Sequence, residues 1–292
     1  LNTPKEENVF NRSGFAALSD LNTPEFQDIF LNLEKEQDAF LDKESIFRSK
    51  EYKWPHDPLY NFSRVWEYPY VYYHLAAYLK TLPQNARPIV ADVGSGVTFF
   101  PFSLAKLGYQ VVCTDIDCIC ERDLSLAREC VSHSPGAVDF RLIKNDSIPV
   151  GDSECDAVYC ISVLEHIPDF EKTVAEMARI LKPGGLCIIT CDINFNPEDG
   201  LQLDDIHYQR LISVLTNAFI WIWPERTIHP VNVLTTKNSP YPLQAPNYGI
   251  AQIIYHLTKQ RILKPLLRRK PANVTICHPH VTVLGLALKK RM

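Results

Sequence analysis

Apolar positions in the first ~85 residues recur at helical spacing. Phe26, Ile29, Phe30 and Leu33 follow a Thr23-Pro24 pair suited to a cap and first turn, which predicts an amphipathic helix. Tyr68, Val71, Tyr72, Leu75, Ala76 and Leu79 share one stripe and predict a second helix beginning near Pro69. From Pro88 the pattern changes to short apolar runs alternating with helical segments. Strands are expected at Ile89–Val93, Gln110–Thr114, Val138–Leu142, Ala157–Ile161 and Leu186–Thr190. Helices are expected between them at Phe99–Leu107, Cys120–Ser132 and Phe170–Leu181, the last halted by Lys182, Pro183, Gly184 and Gly185. A helix at Asp205–Asn217, an aromatic strand at Phe219–Trp223, a helix at Ile250–Leu263 and a final strand at Val281–Leu288 complete the reading. Such alternation predicts an α/β fold, a parallel sheet with helices on both faces. Residues 1–85 read as a helical, aromatic-rich extension and 86–292 as the main domain, with an insertion at about 226–273 before the last strand.

Composition sharpens this picture at three points. Ten of the 31 aromatic residues lie between Tyr52 and Tyr78, more than a surface segment needs unless it packs on something. Among them Trp66, Tyr70 and Tyr73 are candidates to face a substrate, with gluing the extension to the domain as the alternative. The net charge is only -4, which does not suit a general polyanion binder, yet residues 226–292 hold 11 basic and no acidic side chains. Arg261, Lys264, Arg268, Arg269 and Lys270 could meet RNA, an acidic carrier protein or an anionic substrate, or form a solvated face. The nine cysteines are odd in number and several sit in apolar runs, a pattern suited to a reducing cytoplasm. Cys113, Cys118, Cys120 and Cys130 match no paired zinc spacing, and no metal is expected. No apolar run approaches the ~18 residues of a membrane span, and no leader-like segment opens the sequence, which begins without Met.

The candidate chemistry gathers at the ends of the expected strands. Asp92, Val93, Gly94, Ser95 and Gly96 form an acid followed by a Gly-x-Gly turn, where glycines admit a ligand to the backbone and the next helix start favours an anionic group. Asp115 ends the second strand about 20 residues after that turn, where an acid can accept hydrogen bonds from a ribose diol. Asn145, Asp146 and Ser147 follow the third strand. Ser162, Val163, Leu164, Glu165 and His166 follow the fourth. Open α/β sheets bind ligands along this rim. A dinucleotide fingerprint would need a third glycine, but Phe99 stands there.

Together these segments resemble class I S-adenosylmethionine-dependent methyltransferases, particularly the small-molecule group related to ubiquinone and menaquinone biosynthetic enzymes. The stretch Arg179–Thr190, RILKPGGLCIIT, is similar to that family's segment before and in its fifth strand. The resemblance implies a Rossmann-like, seven-stranded, mostly parallel doubly wound sheet and S-adenosyl-L-methionine as cofactor. It further implies that Asp92, Gly94, Ser95 and Gly96 cradle the methionine end, Asp115 binds the ribose and Ile116 flanks the adenine. Asp146, with Ser147 beside it, would face the adenine amino group, and Ser162 would lie beside the methionine moiety. Two departures stand out. Thr98 replaces a glycine, and Ser162 replaces the glutamate through which some relatives hold a divalent ion.

A sulfonium methyl is already electrophilic, so the protein must align a nucleophile and can remove its proton. His166 is the first candidate base, His207 the second, and Asp192 a candidate for touching substrate; the alternatives are a rim residue, an exposed helix start and a cap. Ser-Val-Leu-Glu after the fourth strand differs from the motif of adenine N-methyltransferases, so a nucleic-acid acceptor is not expected. With aromatic segments expected over the rim, the anticipated reaction is O-methylation of a natural-product or quinone-like hydroxyl, free or tethered to a carrier. A saccharide hydroxyl and a non-catalytic cofactor-binding role are the alternatives.

Overall fold

The computed structural model describes residues 8–194, 205–243 and 280–292. Its helices are α1 (Pro24–Leu41), α2 (Glu44–Phe47), α3 (Arg64–Leu79), α4 (Phe100–Leu107), α5 (Cys118–Cys130), α6 (Phe170–Ile180) and α7 (Asp205–Ala218). Its strands are β1 (Gly14–Phe15), β2 (Ile89–Val93), β3 (Gln110–Asp115), β4 (Ala137–Leu142), β5 (Cys155–Ile161), β6 (Leu181–Asn194), β7 (Phe219–Trp221) and β8 (Val281–Lys290).

These strands form one sheet in the order β4-β3-β2-β5-β6-β8, with β1 and β7 both pairing β8 on its far side. Strands β2 to β6 run parallel, and β8 is antiparallel to β6. The chain builds outward from β2 to β4 and then returns to lay β5 on the other side of β2. That reversal opens a crevice at the carboxyl ends of β2 and β5, the usual ligand position in such a sheet.

Alternating side chains on each strand feed two cores. Val90, Val111, Ala157, Tyr159 and Ile188 point to one face, under α3, α4 and α5, with Phe26, Phe30 and Phe40 of α1 in the same layer. Ala91, Val112, Val158, Cys187 and Ile189 point to the other, under α6 and α7. The helical extension thus shares its apolar layer with the sheet.

Four expectations change. The sheet has eight strands, because a two-residue piece of the extension pairs with β8 at Gly285 and Leu284, too short to leave a periodic signal. Helix α3 begins at Arg64, so Pro69 lies inside it and not at its start; Val65 and Trp66 extend its buried side. Strand β6 runs past Thr190 to Asn194 because β8 pairs with it through Asn194↔Val281. β7 stops at Trp221. The expected helix at Ile250–Leu263, most of the insertion and the basic cluster from Arg261 to Lys270 lie outside the described residues. Among the described residues, no helix is long and apolar enough to cross a membrane.

Candidate functional site

The crevice has two walls. The first is the loop after β2. Gly94 has φ +78° and a Cβ there would lie 2.4 Å from the Val163 side chain, so the two glycine-rich and post-β5 turns approach only because Gly94 has no side chain. The Gly94 and Ser95 N–H groups donate to the Thr114 carbonyl at 2.8 and 3.1 Å. Gly96 N–H donates to Asp115 Oδ2 at 3.0 Å, and Asp115 Oδ1 accepts the Asp117 N–H at 3.0 Å. Asp117 in turn caps α5 by accepting from the Ile119 N–H. Between these acids Ile116 is 79% exposed, an apolar side chain held at the rim with nothing over it among the described residues.

The extension supports this wall, which the sequence did not announce. Val97 N–H donates to the Tyr52 hydroxyl at 3.0 Å, and Arg48 donates to the Val97 carbonyl at 3.2 Å. The Arg48 guanidinium lies 4.9 Å from the Tyr52 ring centroid, a cation–π contact. Ser49 N–H donates to Asp123 of α5. Thr98, in place of the expected glycine, hydrogen-bonds with the Tyr68 hydroxyl. Asp92 sits beneath the loop, where burial pushes its carboxyl up to about 8, with Tyr159 opposing the shift and the Asp115 charge adding to it.

The second wall joins the turn after β5 to β6 and α3. Ser162 takes φ 46°, its N–H donates to the Thr190 carbonyl at 2.9 Å, and its hydroxyl donates to Glu67 Oε1 at 2.8 Å. Glu67, fully buried, also pairs with Arg64 one turn earlier on α3. Glu165 Oε1 accepts the Asp192 N–H at 3.2 Å. Burial raises the Glu165 carboxyl to about 7, helped by the Glu67 charge. Burial and the charges of Glu67 and Glu165 raise Asp192 well above the usual carboxylate range. At the mouth His166 is exposed, with its ring centroid 6.5 Å from that of Trp54. Partial burial and the Arg64 charge lower its pKa, which favours the neutral imidazole.

The structure therefore brings Asp92, Gly94, Ser95, Gly96, Asp115 and Ile116 to one wall, and Ser162 and Asp192 to the other. Asp146, with φ 57°, stands exposed beyond β4, and the Ser147 hydroxyl is engaged by Glu176 of α6 at 3.2 Å. His207 is exposed on the first turn of α7. Two expectations are corrected: Trp66 and Tyr70 pack inward, while Tyr73, partly exposed, turns toward the amino-terminal segment. Trp66 donates to buried Asp20, Tyr70 donates to the Arg12 carbonyl, and Tyr73 donates to Asn11 while stacking on Phe10. Helical rotation turns this side of α3 toward the amino-terminal segment and Gly285, where an added Cβ would strike Trp66 at 2.6 Å. Arg64, Glu67 and Tyr52 were missed. The available signal for the first two was a charged pair at the head of an otherwise aromatic helix.

Residues 91–189 match the methyltransferase domain family. A ubiquinone biosynthesis O-methyltransferase of Hahella chejuensis is 35% identical over 113 residues, covering 38% of this chain and 46% of that protein. The enzyme of the same name from Thiobacillus denitrificans is 36% identical over 97 residues, 33% of this chain and 40% of its own. The chain thus spans less than half the length of these two curated relatives. A solved SAM-dependent methyltransferase from Aquifex aeolicus superposes with a TM-score of 0.43 at 13% identity, over 74% of this chain and 89% of its own.

Proposed function

From the premise that residues 91–189 form a class I S-adenosylmethionine-dependent methyltransferase domain, we propose that the protein methylates a hydroxyl on a mid-sized, partly apolar small molecule. The observation that carries this reading is the two-walled crevice itself. A braced glycine loop with a ribose-spaced carboxylate lies at the β2/β5 reversal, and His166 after β5 supports the reading of a base beside it.

The first wall fits the cofactor. Ile116, 79% exposed, offers an apolar face that an adenine would cover. A carboxylate has about four acceptor positions, and Asp115 commits two to its own backbone, which leaves room for a ribose diol. Gly94 and Gly96 would hold the methionine end, with Ser162 beside it. Asp146 would turn to the adenine amino group. When bound, S-adenosylmethionine supplies a methyl group made electrophilic by its sulfonium. The chain's own residues would orient the acceptor hydroxyl, and neutral His166 would take its proton, leaving the oxygen free to accept the methyl group as its bond to sulfur breaks. Trp54 beside His166 offers an aromatic surface for a ring-bearing acceptor such as a phenol or quinol, in keeping with the names of the two relatives. The free cysteines among the described residues suit a reducing compartment, and we place the protein in the cytoplasm.

Calorimetry with S-adenosylhomocysteine, followed by labelled methyl transfer to a panel of phenols, tests the reading. Asp115→Ala is expected to weaken nucleoside binding by about 2 kcal/mol, the scale of lost charge-assisted hydrogen bonds. Unchanged affinity would remove Asp115 from the site. No heat with the wild type would remove the reading.

A further inference from the structure

The second wall holds more negative charge than a hydroxyl acceptor needs. Glu67, Glu165 and Asp192 lie buried together against the single guanidinium of Arg64. Glu67 is engaged at both oxygens, by Arg64 and by the Ser162 hydroxyl. Glu165 is not: its Oε1 accepts the Asp192 N–H, but its Oε2 is buried without a hydrogen-bond partner, on a residue only 9% exposed. A buried carboxylate oxygen without a donor is costly, and retaining one beside a reaction crevice points to a donor that arrives from outside.

We propose that Glu165 and Asp192 form an acceptor subsite for a basic nitrogen, an alkylammonium group carried by the molecule to be methylated. The inference rests on the methyltransferase reading and narrows its acceptor class. Three carboxyls set against the one guanidinium of Arg64 leave an excess of acid in the cluster, which favours a cation. A dication would have to enter beside the Arg64 guanidinium, and among the described residues no group of side chains has metal-binding geometry. An ammonium supplies three N–H donors, enough for Glu165 Oε2 and a second carboxyl oxygen. The Arg64 side chain is 20% exposed, so the cluster reaches solvent on that side, while His166 and Trp54 mark the crevice mouth.

The groups facing Glu165 are Arg64 and Glu67 from α3, Asp192 from β6 and its neighbour His166 in the post-β5 turn; Cys160 and Cys191 feel its charge from β5 and β6. Burial raises the Glu165 carboxyl to about 7, so an ammonium competes there with a proton and its affinity should rise with pH through that value.

The experiment uses the full chain saturated with S-adenosylhomocysteine and titrated with phenethylamine or, as the neutral isostere, 2-phenylethanol, by ligand-observed NMR. Phenethylamine is expected to bind more tightly than the alcohol, and about tenfold more tightly at pH 8 than at pH 6. Glu165→Gln should abolish that pH dependence and weaken the amine at least tenfold while S-adenosylhomocysteine still binds. Asp192→Asn repeats the test should the glutamine variant fold poorly, and His166→Gln should keep the pH dependence. Equal affinity for amine and alcohol, or an amine affinity indifferent to pH, would overturn the subsite while leaving the methyltransferase reading intact. Failure of the wild type to bind S-adenosylhomocysteine would overturn both.

Discussion

The two walls of the crevice are built on opposite plans. The loop after β2 is backbone: its amides are held by Thr114, Asp115 and Tyr52, and its shape depends on glycines at positive φ. The wall at β5, β6 and α3 leans on side chains: Glu67 pairs with Arg64 and accepts from the Ser162 hydroxyl, and Glu165 reaches across to the Asp192 amide. The first plan suits a ligand common to many enzymes. The second can be rewritten residue by residue without disturbing the sheet, which is what an acceptor-specific surface requires.

The most disruptive way to break this comparison is Gly94→Ala. The new methyl would meet Val163 in a left-handed backbone, so folding stability is expected to fall by about 2–5 kcal/mol, the combined scale of αL strain and overpacking. Urea unfolding measures it, and an unchanged midpoint would show that the walls need not touch. Next in size is the pH dependence of stability. Asp92 is raised to about 8 in the fold against about 3.9 unfolded, so the folded state binds the extra proton. Its contribution is complete below the unfolded pKa and is lost as pH rises toward 8. Between pH 5 and 8 that carboxyl alone should cost on the order of 3 kcal/mol. Asp92→Asn should flatten the slope. If the variant kept the wild-type slope, Asp92 would not be its source.

On the other wall, His166→Ala should slow methyl transfer roughly 100-fold with nucleoside affinity unchanged, and a normal rate would retire the histidine as base. The mildest probe is Tyr52→Phe. Removing the acceptor for the Val97 N–H should weaken S-adenosylhomocysteine binding by about 1 kcal/mol, whereas no change would show that the loop stands without the extension.

The same contrast explains what could be read from residue order alone. Apolar runs such as Ile89–Val93 and the glycine turn after them are local signals, and the structure places both as expected. The reversal at β2 follows from the alternation of strands and helices. Glu67 meeting Ser162 joins residues 95 positions apart, and no local period encodes that. Trp66, Tyr70 and Tyr73 were legible as an aromatic cluster, but which way it faced depended on Asp20, Arg12 and Asn11, polar partners contributed by the segment around β1. The strand looked finished at Thr190 because β8, about ninety residues later, is what prolongs β6 through Asp192 to Asn194.

Arg48 and Tyr52 clasp the Val97 peptide from both its carbonyl and its amide. An engineer who exchanged the amino-terminal helices would also release the glycine loop after β2. If that loop holds the cofactor as proposed, grafted extensions should succeed only when they bring an equivalent arginine–tyrosine clasp with them.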